Sequence, residues 1–315
     1  MALAHGDGEI DRQTRRGMAL MVGAAFVMPC LDAIAKILGQ SISPAQIGFM
    51  RFTLQAFMLT AGFAILGRTI LSKNMRRAAP KLALAGAFMA SATLLLFWGL
   101  QTLPLANAIV LLFVAPLFLT LFAAFVLGEQ VGVHRFGAVV VGFIGALIVI
   151  RPNFLLFGWS AILPLLAAAC FAGLMATLRS VSFGLDGFRI QLACTAFGAI
   201  FLGVALLVGT AAGVEVIAFT VPTIDILPLI ILLTVIGIVG QAMMTFAAKF
   251  AEASLIAPFQ YIEIIAATVL GYVLFNEFPD ELTWLGTAVI LSAGLYTIHR
   301  ERRRQRVRAT EVPLA

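Results

Sequence analysis

This sequence is poor in charge. Only 11% of its 315 residues are Asp, Glu, Lys or Arg, 62% are hydrophobic, and the mean hydropathy is +1.05. Soluble domains carry about 25% charged residues, so this chain lacks the polar surface that coats a globule in water. Cysteine is equally sparse. The three residues Cys30, Cys170 and Cys194 lie inside apolar runs, with no CxxC spacing and no even number to pair, which excludes a disulfide scaffold and points to packing. The three histidines, His5, His134 and His299, sit in a tail or at the ends of apolar runs. No G-x-x-x-x-G-K-[ST] loop, HExxH pair or G-x-S-x-G elbow occurs, so ATP hydrolysis through a Walker A loop and the common hydrolase chemistries are excluded. No cofactor or metal is expected.

What the sequence has is length in apolar runs. A membrane-crossing helix takes about 20 residues, and ten segments qualify or nearly do. They are 17–38, 45–67, 82–103, 105–127, 136–150, 158–178, 190–212, 226–248, 253–275 and 282–298. The fifth and tenth are the shortest. An all-α integral membrane protein of ten helices follows. Arg12, Arg15 and Arg16 precede the first run as in a signal peptide. That run is longer than a signal core and no small-residue cleavage site follows, so it is read as a retained helix.

Loop charges orient the chain. Of the 21 Lys and Arg, Lys36 and Arg51 fall within spans and Arg151 stands alone on one side. All the rest fall on the other side, including Arg68, Lys73, Arg76, Arg77, Lys81 and the tail cluster Arg300 to Arg308. This bias places both termini in the cytoplasm. The net charge of +6 therefore reflects topology, and no nucleic-acid partner is expected. Trp159 and Trp284 begin spans on the outer side, where aromatic belts sit.

The chain also reads as two copies of one plan. Shifting by 148 residues lays Phe113–Glu129 over Tyr261–Glu277, and FIGALIVI ending at Ile150 over LSAGLYTI ending at Ile298. Each half closes with a helix ending in an acidic residue, a short loop and a short apolar helix. Five helices is an odd number, so the halves enter the membrane with opposite polarity, a plan that secondary transporters use to alternate access. The expected units are a cytoplasmic N-terminal tail over 1–16, a first repeat over 17–151, a second over 158–298 and a basic tail over 299–315.

Pro116 in the fourth helix, LGE at Leu127–Glu129 and YIE at Tyr261–Glu263, set in this ten-helix plan, resemble the EamA family of the drug/metabolite transporter superfamily. The resemblance runs from about residue 17 to 298. FNE at Phe275–Glu277 departs from the commoner LGE, and Ile264 stands where many members have proline. DAIAK at Asp32–Lys36, MRF at Met50–Phe52 and APFQYIEII at Ala257–Ile265 are most similar to a proteobacterial branch of riboflavin and S-adenosylmethionine uptake carriers. The resemblance implies a bacterial inner-membrane transporter of a small organic metabolite, with no enzymatic activity. Riboflavin uptake comes first, then S-adenosylmethionine uptake, then amino-acid or metabolite export. A membrane-embedded enzyme is the alternative class, but no nucleophile or ligand group is clustered at one depth.

Ionisable groups inside spans are costly unless paired or facing a water-filled cavity, so each is a candidate. Glu263 binds a substrate amine or a coupling proton, or is a structural partner of Arg51 or of backbone donors. Asp32 and Lys36 share a helix face. They form an internal pair with Lys36 snorkelling outward, or Asp32 lines the cavity opposite Glu263. Arg51 clamps an anionic group or neutralises Glu263 or Asp32. Gln101, Asn107, Gln241, Gln260 and Tyr261 are hydrogen-bonding candidates for a polar heterocycle or, equally, helix–helix glue, and Trp98 offers a stacking face or a belt residue. Small residues on the fifth and tenth helices (Gly137, Ala138, Gly142, Gly145; Gly286, Ala288, Ser292, Gly294) suit a buttress within the bundle or a homodimer face.

Overall fold

In lipid the backbone has no water to bond, so apolar runs of this length fold as helices that satisfy their own amides. The computed structural model describes residues 2–67, 69, 73–125, 133–181 and 185–311, and among them there is no strand. In chain order the helices are α1 (Ala2–Leu38), α2 (Pro44–Ile65), α3 (Lys73–Leu100), α4 (Leu105–Leu112), α5 (Ala115–Phe125) and α6 (Val133–Phe157). They continue with α7 (Leu163–Arg179), α8 (Gly187–Ala212), α9 (Leu227–Phe250), α10 (Ala253–Gln260), α11 (Ile262–Phe275) and α12 (Glu281–Glu311). Eight stretches are long and apolar enough to cross a membrane, and the apolar part of α6, Phe136–Arg151, is a shorter ninth. Leu282–Ile298 forms the first part of α12 and is not among the eight. Arg68 and Leu127–Glu129 lie outside the described residues, as do the side chains of Arg135, His299 and the arginines beyond residue 300.

Two expected continuous helices are each broken in the middle. The run 105–127 divides into α4 and α5, and 253–275 into α10 and α11. At the first break the cause is proline. Pro116 has no amide to return to the carbonyl of Leu112, and the turn before it tightens, with Phe113 and Val114 donating three residues back to Val110 and Leu111, both at 3.2 Å. The second break also tightens to three-residue bonds, but it follows Pro258, which lies inside α10. Tyr261 donates to Pro258 at 3.3 Å, and Ile264 to Tyr261 at 3.2 Å. Phe113 and Tyr261, the two break residues, are 148 positions apart and their rings meet at a tilt of 43° with centroids 5.2 Å apart. A third difference lies between the halves. The helix of α6 runs on through Arg151 to Phe157, where a linker was expected, before a single 3-10 turn leads into α7.

Packing repeats under the same shift. α1 packs on α9 and α3 on α7; α1 on α11 and α5 on α7; α2 on α9 and α3 on α8. α2 with α8, and α6 with α12, pair across the centre. The α6–α12 contact uses the small residues noted above. A Cβ on Gly286 would stand 2.7 Å from the carbonyl oxygen of Gly145, and one on Gly145 3.0 Å from that of Gly286. Gly142 meets Ala293, and Gly145 meets Ile290, one contact being the 148-shifted image of the other. Gly142, Gly145 and Gly286 are thus used within one chain, whereas Gly294 packs on Tyr261 and Gly137 faces open space. The outer surfaces of these helices carry large apolar side chains such as Val141, Leu147, Leu285 and Tyr296, all exposed.

Helix ends are capped where the sequence allows. Ser43 accepts from the Gln46 amide and Pro44 opens α2, a strong start signal. Asn276 ends α11 at φ 55°, with Glu277 donating its amide back to Gly271. Glycine is the usual residue in that left-handed position and asparagine is the next most tolerant. This accounts for FNE standing where LGE is commoner.

Candidate functional site

Three helices bring the singled-out charges together at the middle of the bundle. Asp32 lies in α1, Arg51 in α2, and Glu263 in the first turn of α11 immediately after the break at Tyr261. The break sets Glu263 at the start of α11, facing Asp32. Asp32 is within electrostatic reach of both Arg51 and Glu263. None of the three makes a hydrogen bond or ion pair among the described residues. Asp32 is only 5% exposed, and the buried Nε of Arg51 has no partner. The Arg51 guanidinium lies 5.3 Å from the Phe52 ring and presses on α9 at Gly237, where a Cβ would come within 3.1 Å of Nη2. A side chain at 237 would have to push the guanidinium aside by a few tenths of an ångström.

The expectation that Lys36 pairs with Asp32 or reaches outward is corrected. Lys36 is 9% exposed. Its Nζ donates to Glu277 at 2.6 and 2.8 Å and to the Leu103 carbonyl at 2.7 Å, and it also faces the Phe275 ring at 5.0 Å. Glu277 Oε2 in turn accepts the Leu105 amide at 3.1 Å, capping α4. One ion pair therefore ties α1, α4 and α11 together at the end of the bundle where α1 turns into α2. At the same end, Gln46, fully buried, is bonded to Thr220 through both of its carboxamide atoms.

The remaining candidates separate. Gln101 donates to the Gly39 carbonyl at 3.1 Å and clamps the α1–α2 turn. Asn107 is buried in α4 at 4% exposure. Tyr261 sets its hydroxyl against Gly294 of α12. Gln260 and Trp98 are half-buried at the ends of α10 and α3. Gln241 lines a crevice between α2, α8 and α9, together with Gln55, Gln191, Phe188 and Thr245. The crevice holds about one water, so as it stands it is too small for an organic metabolite. Glu277, Gln55 and Gln191 were missed. The acidic residue that aligned the two halves was the available signal for Glu277.

A bundle of span-length apolar helices, broken twice at its centre beside enclosed and unpartnered charges, defines a polytopic membrane protein of the transporter type. Residues 15–151 match the model of the EamA-like transporter family. The chain belongs to that family. It is 33% identical over 213 residues to a riboflavin transporter of Rhizobium johnstonii, a match spanning 66% of each chain. It is 28% identical over 276 residues to an S-adenosylmethionine uptake transporter of Rickettsia prowazekii, covering 86% of this chain and 88% of that one. A pseudopaline exporter of Pseudomonas aeruginosa is 28% identical over 286 residues, covering 89% and 94%. A crystal structure with 18% identity shares the fold at a TM-score of 0.57 over 91% of this chain and 98% of its own.

Proposed function

We propose that the protein is a secondary transporter of the bacterial inner membrane that carries a small organic metabolite by alternating access. Its ten spans form two inverted five-helix halves, over 17–151 and 158–298, with both termini cytoplasmic. The 148-residue shift that relates the helix breaks and the packing pairs supports the repeat, and the charge bias of the loops supports the orientation. The end bearing Lys36–Glu277 is then periplasmic, and the crevice of Gln241 opens toward the cytoplasm.

The observation that carries the reading is the trio Asp32, Arg51 and Glu263. Asp32 is buried, Arg51 and Glu263 are half-buried, and none is met by a bond among the described residues; charges left so are rare because desolvation is expensive, and their partner is a visitor: substrate, water or proton. Riboflavin uptake is the leading specific reading, supported by the relative at 33% identity and by the carboxamides near the centre. An amino-acid-headed solute such as S-adenosylmethionine is the second, favoured by the presence of both signs of charge in the trio. A homodimer through the exposed apolar faces of α6 and α12 is compatible with either. No role as an enzyme is proposed.

The test is uptake of labelled riboflavin, and separately of labelled S-adenosylmethionine, in cells lacking other importers, with Glu263→Gln at equal expression beside the wild type. Uptake by the wild type alone supports transport through the trio. Equal uptake by both assigns Glu263 to structure, and no flux of either solute removes both substrates.

A further inference from the structure

The crevice beside the charges carries a second, uncharged site. α2 and α9 run parallel, and their side chains step down together: Arg51 lies level with Gly237, and Gln55 and Gln241, each one turn on, line one crevice. One turn is about 6 Å along the axis. α8 comes from the other direction. Gly187 abuts Thr245, and one turn further along α8 Gln191 reaches the same crevice. Three helices thus present a glutamine at one depth, a turn away from Arg51.

None of these three carboxamides donates or accepts a hydrogen bond among the described residues. Gln55 is 1% exposed, and its Oε1 is enclosed without a partner. Gln46, the other fully buried glutamine, bonds through both of its carboxamide atoms, and an unmet buried acceptor costs about 1–3 kcal/mol. Glue between helices would show bonds between the helices, and there are none here.

We propose that Gln55, Gln191 and Gln241 form an uncharged recognition subsite that holds a planar heterocyclic end of the substrate through paired donor and acceptor groups. A carboxamide matches such an edge in two hydrogen bonds, and Phe188 supplies an aromatic wall. The ionised or polyhydroxylated remainder of the same molecule then extends toward Arg51 and Asp32. Because the crevice as it stands is too small, the ring enters as α8 separates from α2 and α9. The inference rests on the transport reading and names what discriminates among its substrates.

The experiment uses the full chain purified in detergent and follows thermal unfolding with riboflavin, lumichrome, S-adenosylmethionine and adenine, and with methionine as the probe lacking a ring. At least one ring compound is expected to raise the midpoint by several degrees, since a ligand that binds only the folded state stabilises it, while methionine does so less. The shift is expected to fall by half or more in Gln55→Met and in Gln191→Met, and to persist in Gln101→Met. In proteoliposomes the KM for a carried ring compound should rise about tenfold in Gln191→Met, with kcat within twofold. If Gln55→Met does not fold, the half-exposed Gln191 still decides. The inference is overturned if no ring compound stabilises the wild type, or if the shift is undiminished in Gln191→Met and Gln241→Met. Ring binding without flux keeps the subsite and removes the transport reading. Flux of a ring-free solute without ring binding does the reverse.

Discussion

Asp32 and Lys36 sit one turn apart on α1, both buried, and their surroundings treat them in opposite ways. Lys36 is met by two carboxylate oxygens, a carbonyl and an aromatic face. Asp32 has opposite charge nearby in Arg51 and like charge in Glu263, yet touches neither. The difference separates a joint from a site. A residue whose bonding is complete holds the fold, while one left incomplete in a closed bundle is waiting for something the chain does not contain.

The comparison breaks most readily at its functional side. Asp32→Asn and Glu263→Gln are each expected to cut uptake of the carried solute at least 100-fold with surface expression and unfolding midpoint near wild type. A fall in stability matching the fall in flux would place them with Lys36 instead. Next in size is Gly286→Leu, which forces α6 from α12. Overpacking of this kind costs about 3 kcal/mol and should lower the unfolding midpoint more than any change at the charges.

The Lys36–Glu277 pair sharpens the other side. Removing one partner from a buried pair costs about 3–5 kcal/mol. Glu277 retains 27% side-chain exposure, so about 2 kcal/mol is expected for Lys36→Met. The double change Lys36→Met with Glu277→Gln should recover more than half of that, as the stranded carboxylate is gone. Additive losses in the double variant would show that the two residues act independently. The smallest effect is expected at Gln46→Leu, about 1 kcal/mol for its bonds to Thr220, read as faster proteolysis of the α8–α9 connection with flux unchanged.

Much of this architecture was legible beforehand, because lipid imposes a length on every span and leaves charges few places to hide. Asp32, Arg51 and Glu263 stood out on cost alone, and the structure brings them together. The helix breaks did not stand out. Hydropathy registers an unbroken run across Phe113 and Tyr261, whereas the backbone at Phe113 depends on the amide that Pro116 withholds, and no withheld amide marks the break at Tyr261. The partner of Lys36 was hidden by distance, 241 positions along the chain, and Asp32 at i−4 was the nearer but wrong choice. Gln55 and Gln191 look like ordinary polar residues in their own helices. Only the parallel run of α2 and α9, crossed by α8, sets them level with Gln241.

The glycine contact between α6 and α12 has a consequence for how such a chain can change over time. On the inverted-repeat reading, each half closes with a helix that lies against its own counterpart, so the surface is self-facing like the interface of a twofold dimer. Gly142 against Ala293 is the image of Ile290 against Gly145. In a single half-length ancestor acting as a pair, one enlarged side chain here would have clashed twice. With both halves in one chain that penalty is halved and the shifted positions are free to differ, as Gly142 and Ile290 do. The two sides of the seam can therefore differ in a way that two identical halves could not.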